Sequence, residues 1–269
     1  MKKYRKGLTV TVAALTASFF FSGWMLLGGN DAPEKADPAT LAKGKALYDD
    51  ICATCHGING NGDGVLAANL QTKPRNFTTG IFKFRSTLSG QLPTDEDLSI
   101  TIKSGTHSTA MTTFETFSPE QIWALVQCVK TFSPRFSDPN EYPLKTISYG
   151  NEIPFTRESI AKGRKAYVEM QCNKCHGDAG EGNGPSADGM ADNWGDPIQP
   201  SDLTNPSNLK FATSPAEIFR TLATGLDGTP MPSYSGAIPD SAMWYLANYV
   251  YSLQTHQGYY EPIKPEETE

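Results

Sequence analysis

The chain has 269 residues, an apolar fraction of 38%, and 23 Lys and Arg against 29 Asp and Glu, for a formal net charge of −6. That is long enough for two modest units with cores of their own, too apolar for a disordered polymer, and too acidic for a nucleic-acid-binding surface. With 24 Gly and 19 Pro, loops and short helices are expected rather than long bundles or sheets.

Residues 1–30 open Met1-Lys2-Lys3-Tyr4-Arg5-Lys6 and then run uncharged from Gly7 to Asn30. Basic residues ahead of an apolar stretch mark an export signal. Leu8 to Gly29 is 22 residues, about 33 Å as a helix and enough to cross a bilayer. No small-x-small cleavage site follows, so a retained signal anchor is favoured over a cleaved signal peptide. The basic start then stays in the cytoplasm of a bacterial cell, and the remainder faces the periplasm. Setting this segment aside leaves 19 basic against 29 acidic residues in 31–269, a net of −10. Such a charge serves solubility, or docking to a basic face on a partner.

After a polar tether, Asp37-Pro38 is an N-cap with proline at the first helical position, opening a helix that leads to Cys52. The pentapeptide Cys52-Ala53-Thr54-Cys55-His56 follows, then a glycine run, Gly60-Asn61-Gly62-Asp63-Gly64. Thr94-Asp95-Glu96-Asp97 starts another helix that stops at Gly105, and Ser118-Pro119-Glu120-Gln121 is a capping box for a third, through Phe132. Residues 133–155 contain Pro134, Pro139, Pro143 and Pro154 and read as an extended connector. The series then returns. Thr156 starts a helix before Cys172-Asn173-Lys174-Cys175-His176; Gly180-Glu181-Gly182-Asn183-Gly184 follows; a second box, Ser214-Pro215-Ala216-Glu217, opens a helix stopping at Gly225; and the last helix covers 240–253. Residues 254–269 form a polar tail. No segment alternates β-branched residues as a strand would, so the fold class is all-α.

Each pentapeptide has the form of a covalent haem c attachment site, in which two thiols add across the porphyrin vinyl groups and the adjoining imidazole binds iron. A zinc site would not need the two histidines or tolerate pairs 120 residues apart. A thioredoxin-like motif would need a βαβ setting. Met111 lies 59 residues after Cys52, and Met231 lies 59 residues after Cys172, so a thioether ligand recurs at the same offset. Met231 sits between Pro230 and Pro232. Met111 lacks both prolines and has a rival in His107. Met190, in a loop, and Met243, on the last helix, suit packing better.

Helix, pentapeptide, loop, helix, methionine loop and terminal helix, in that order, resemble the class I cytochrome c domain. The resemblance covers 38–132 and 156–253, giving two tandem domains after an N-terminal signal or transmembrane helix. In that family a glycine and, one turn on, an aromatic residue of the leading helix pack on an aromatic of the terminal helix. Here these are Gly44 with Tyr48 and Gly163 with Tyr167. Matching Trp123 to Trp244 sets Tyr249 opposite Cys128, so the fifth cysteine reads as a small buried substitute for an aromatic. Pro74 and Pro200 precede matching Thr78 and Thr204, in a stretch where the resemblance implies a backbone acceptor for the proximal histidine. Lys83-Phe84 likewise matches Lys210-Phe211.

The resemblance implies two covalently bound haem c, with Cys52, Cys55, Cys172 and Cys175 as attachment residues and His56, Met111, His176 and Met231 as axial ligands. It implies single-electron transfer between a respiratory donor, such as a quinol-oxidising complex or dehydrogenase, and an oxidase or reductase, with redox proteins or complex subunits as partners. Six-coordinate iron leaves no position for a substrate, so no enzymatic activity is expected. The alternative is a dihaem peroxidase-like enzyme with one open iron.

Overall fold

The computed structural model describes residues 36–255. The expected anchor and nearly all of the expected tail lie outside the described residues. Asp37 caps α1 (Pro38–Leu47) by accepting the Ala39 and Thr40 N–H groups. A π-turn, Tyr48–Cys52, then carries the chain into the single-turn α2 (Ala53–His56). Thr94 and Ser118 form complete capping boxes at α3 (Asp95–Ser104) and α4 (Pro119–Thr131). The second unit repeats the order with α5 (Arg157–Glu169), α6 (Asn173–His176), α7 (Pro215–Thr224) and α8 (Asp240–Thr255). The box expected at Ser214 is only half formed. Ser214 accepts the Glu217 N–H at 3.3 Å, but the Glu217 carboxylate takes the Thr213 N–H, at 3.0 Å. Among the described residues there is no strand, only isolated bridges.

The two units share one packing device. The helix leading to each pentapeptide crosses the unit's last helix at a glycine. A Cβ on Gly44 would collide with the Ala124 carbonyl of α4, and one on Gly163 with the Tyr245 carbonyl of α8. Beside those crossings lie Cys128 and Tyr249, both buried, at matching positions. The phenols one turn after each glycine are also buried, and each donates to the carbonyl just past its pentapeptide: Tyr48 to Gly57 and Tyr167 to Gly177, both at 2.7 Å.

The proline-rich connector is docked rather than free. Leu88 N–H donates to Lys145 O at 2.9 Å, and Ile147 N–H to Ser86 O at 2.8 Å, which ties the connector to the first unit. Arg135 pairs with Glu141 and donates to Gly80 O and Gly90 O at 2.8 and 2.9 Å. From the other side, Trp244 Nε1 donates to Tyr149 O at 2.7 Å and Asn248 Nδ2 to Ile153 O at 3.0 Å. The prolines remove donors from this stretch, but its carbonyls remain, and side chains of α8 and a backbone N–H of the first unit satisfy them.

Candidate haem sites

Each pentapeptide histidine ends a one-turn helix, and the glycine run folds back over it. Gly62 N–H donates to His56 O and Gly182 N–H to His176 O, both at 2.8 Å; Gly64 and Gly184 do the same for Cys55 O and Cys175 O, both at 3.1 Å. Gly62 and Gly182 hold φ of 81° and 77°, a left-handed conformation that a side chain resists. The runs are therefore built turns that present the imidazole.

The imidazoles are set by backbone carbonyls. His56 Nδ1 lies 3.0 Å from Arg75 O, and His176 Nδ1 lies 3.0 Å from Ser201 O. A carbonyl only accepts, so Nδ1 carries the proton and Nε2 keeps a free lone pair, the state needed to bind a metal. Burial lowers both imidazole pKa values, which also favours the neutral ring. Both acceptors follow the matched prolines, Pro74 and Pro200. Their stretches are fixed by matched turns in which Asn76 Oδ1 accepts from Thr78 N–H at 2.9 Å and Asp202 Oδ1 from Thr204 N–H, also at 2.9 Å. Phe77 stacks on the His56 ring with centroids 4.5 Å apart.

The methionine loops carry the same hydrogen bonds despite their different sequences. Thr106 N–H donates to Met111 O at 2.9 Å, as Leu226 N–H does to Met231 O at 3.1 Å. Thr109 Oγ1 accepts the Met111 N–H at 3.1 Å and Thr229 Oγ1 the Met231 N–H at 3.2 Å. Both hydroxyls in turn donate back, Thr109 to Thr106 O at 2.8 Å and Thr229 to Leu226 O at 2.7 Å. The threonine two residues before the methionine thus closes the turn in both halves, and the flanking prolines are not required for it. Met111 and Met231 are both half-buried, whereas His107 is exposed.

In the second unit Cys172, Cys175, His176 and Met231 line one cavity of about 960 Å³, joined by Tyr234 and Leu246. Met190 lines it too, while Met243 is buried in the core of that unit. The cavity continues to the seam between the units, where Arg75, Lys83 and Phe84 of the first half meet Lys210 of the second. Burial pushes the Lys83 ammonium down to about 8, with Arg75 and Lys210 adding repulsion and Asp192 and Asp196 partly compensating. Burial lowers Lys210 as well. These half-buried cations were missed from sequence, although the recurring Lys-Phe pair marked the place of the two lysines.

The donor set fits haem c: two thiols, an imidazole with its lone pair free and a thioether line one cavity, with cations in the same lining that could pair with its carboxylates. Burial, the largest cause, raises the Cys172 thiol to about 11, so a thiolate nucleophile is not favoured there. Among the described residues no three His, Cys, Asp or Glu converge as a metal cluster.

The family profile for cytochrome c matches residues 41–133 and 160–254. The chain belongs to the cytochrome c family. With two such domains, this cytochrome carries two covalently bound haem c groups. It is 28% identical over 231 residues to the cbb3-type cytochrome c oxidase subunit FixP of Bradyrhizobium diazoefficiens, covering 82% of this chain and 65% of that protein. The chain therefore spans somewhat less than two thirds of the curated relative. It is also similar to a chain of the reducing HAO-like protein complex of Kuenenia stuttgartiensis, with a TM-score of 0.76 and 40% identity over 83% of this cytochrome and 99% of that chain. Among the described residues no helix is long and apolar enough to cross a membrane.

Proposed function

We propose that this cytochrome is a membrane-anchored dihaem carrier. It passes single electrons from a quinol-oxidising complex or dehydrogenase to a terminal oxidase or reductase, as a subunit of such an assembly. The haem units are 38–132 and 156–253, joined by 133–155, with 1–30 as the anchor and the acidic periplasmic face as the docking surface. Cys52, Cys55, Cys172 and Cys175 hold the haems; His56 and His176 are the proximal ligands, and Met111 and Met231 the distal ones. The observation that carries this reading is the matched bonding of the two methionine loops. It gives the thioether of the first unit the same support as that of the second and leaves His107 in solvent.

Bound iron supplies a ferric–ferrous couple, and methionine ligation raises its potential relative to two histidines. The chain contributes burial, imidazoles held in one tautomer by Arg75 O and Ser201 O, and cations at Arg75, Lys83 and Lys210 suited to propionate carboxylates. A docked connector and a cavity shared across the seam support two stations working in series. The membership of both relatives in larger assemblies supports the subunit role.

An optically followed redox titration of the intact holoprotein, with carbon monoxide added to the reduced form, tests this. Two low-spin haems that resist carbon monoxide are expected. A five-coordinate ferric fraction, or prompt carbon monoxide binding at either haem, would overturn the reading in favour of a peroxidase-like enzyme.

A further inference from the structure

The loop bearing Met231 is held from outside its own unit. Arg85, in the first half, is 1% exposed, yet its guanidinium reaches across the seam. Nη1 donates to Phe82 O at 3.0 Å and Nε to Leu88 O at 3.3 Å, which fixes the fork in its own unit. Nη2 donates to Thr224 O and pairs with Asp227 Oδ1, both at 2.8 Å. Thr224 is the last residue of α7, and Asp227 stands between Gly225 and the methionine. The other donors on that carboxylate also come from the first half: Ser89 Oγ on Oδ1 and Gly90 N–H on Oδ2, each at 2.8 Å.

The next residue of the loop is enclosed as well. Gly228 has φ +81°, and a side chain there would run into the Trp194 ring and reach Ile81 of the first half. Arg75, again from the first half, covers Trp194 with its guanidinium 4.5 Å from the ring centroid. Among the described residues the opposite loop has no comparable brace. From Ser108, near Met111, a single hydroxyl reaches the second half, donating to Asn208 O at 3.3 Å on the exposed side.

We propose that Arg85, through Asp227, is a positioning residue for the distal ligand of the second haem, so that the first unit sets how firmly Met231 is held. This rests on Met231 being that ligand. The pair is well suited to the task. A fork that satisfies carbonyls in one unit and a carboxylate in the other fixes both at once, and a turn so fixed has little freedom to swing its thioether away. The asymmetry makes the effect directional: breaking the brace loosens the second site and leaves Met111 as it was.

The test uses the full-length holoprotein and proton NMR of the reduced state, where ring currents shift an iron-bound methionine methyl far upfield. The wild type is expected to show one such methyl for each haem, with Met231→Leu identifying the second. In Asp227→Asn, and in Arg85→Lys where it folds, the Met231 methyl is expected to broaden or vanish, the potential of that haem to fall, and carbon monoxide to bind there. The Met111 methyl should stay in place, and Ser89→Ala should give a weaker change of the same kind. Folded Asp227→Asn and Ser89→Ala proteins with both methyls and both carbon monoxide responses unaltered would overturn the proposal, even if melting temperatures fell. A wild type with no methyl assignable to Met231 would instead overturn the ligand assignment itself, and the brace with it.

Discussion

The Tyr48 ring lies 4.8 Å from that of Phe132, tilted by 49°, so that Phe132 takes the role that Tyr249 plays beside Tyr167 in the second unit, at 5.3 Å. The aromatic partner of the buried phenol has moved one turn along the terminal helix. Where the second unit has Tyr249 and then Leu253, the first has Cys128 and then Phe132, large and small exchanged. Each buried phenol keeps an aromatic neighbour while the position that supplies it changes. Cys128→Tyr alone should overpack the first unit and cost about 1–3 kcal/mol of unfolding free energy. Cys128→Tyr with Phe132→Leu should recover most of that loss. Denaturant titration of wild type and these two variants measures both effects, and a double variant no better than the single one contradicts the exchange.

The same cysteine bears on alkaline stability. Burial, its largest cause, raises the Cys128 thiol to about 11 from 9.0. A raised pKa means the folded state holds its proton longer than the unfolded state. The associated stability is therefore complete below pH 9 and drains away between about 9 and 11. Cys128→Ala should flatten that part of the pH profile, and the native thiol should resist alkylation at pH 9 until the protein is unfolded. Rapid labelling of the native protein would show the thiol to be accessible.

Met111 and His107 are separable by substitution. Met111→Ala should open one haem to carbon monoxide and lower its potential by a sizeable part of the ~0.8 V range that axial ligands span. His107→Ala should leave the spectra and both potentials unchanged. The reverse pattern in a redox titration would make the histidine the ligand.

Gly163→Ala places a methyl against the Tyr245 carbonyl and close to Tyr249. With backbone on the far side and no flexible chain end to give way, the expected loss is about 1–3 kcal/mol. Thermal unfolding read at the second haem should show it. An alanine protein as stable as wild type would mean that α5 and α8 can part without penalty.

Much of the fold was legible because helix starts are written in single residues. Asp37, Thr94, Ser118 and Thr156 each cap where expected, since a short side-chain acceptor ahead of a helix has few other uses. The Met111 loop was harder, because the prolines usually taken as its mark are missing and the threonine that closes the turn in both halves is an inconspicuous signal. The histidine acceptors could be narrowed only to a stretch, as a carbonyl is common to every residue. Arg85 and Asp227 were illegible: nothing local distinguishes a buried arginine from a surface one when its carboxylate arrives with the next domain. The connector was read as extended from its prolines, which report missing donors and say nothing of the partners that its carbonyls find.

Arg85 also constrains how the molecule comes into being. A chain synthesised from its amino end completes the first unit before Thr224 and Asp227 are made, leaving the guanidinium hydrated and the seam open. The first half stays soft until then, and the seam hardens only once the second half has folded against it. Biogenesis thus runs in one direction, from a pliant intermediate to a locked pair.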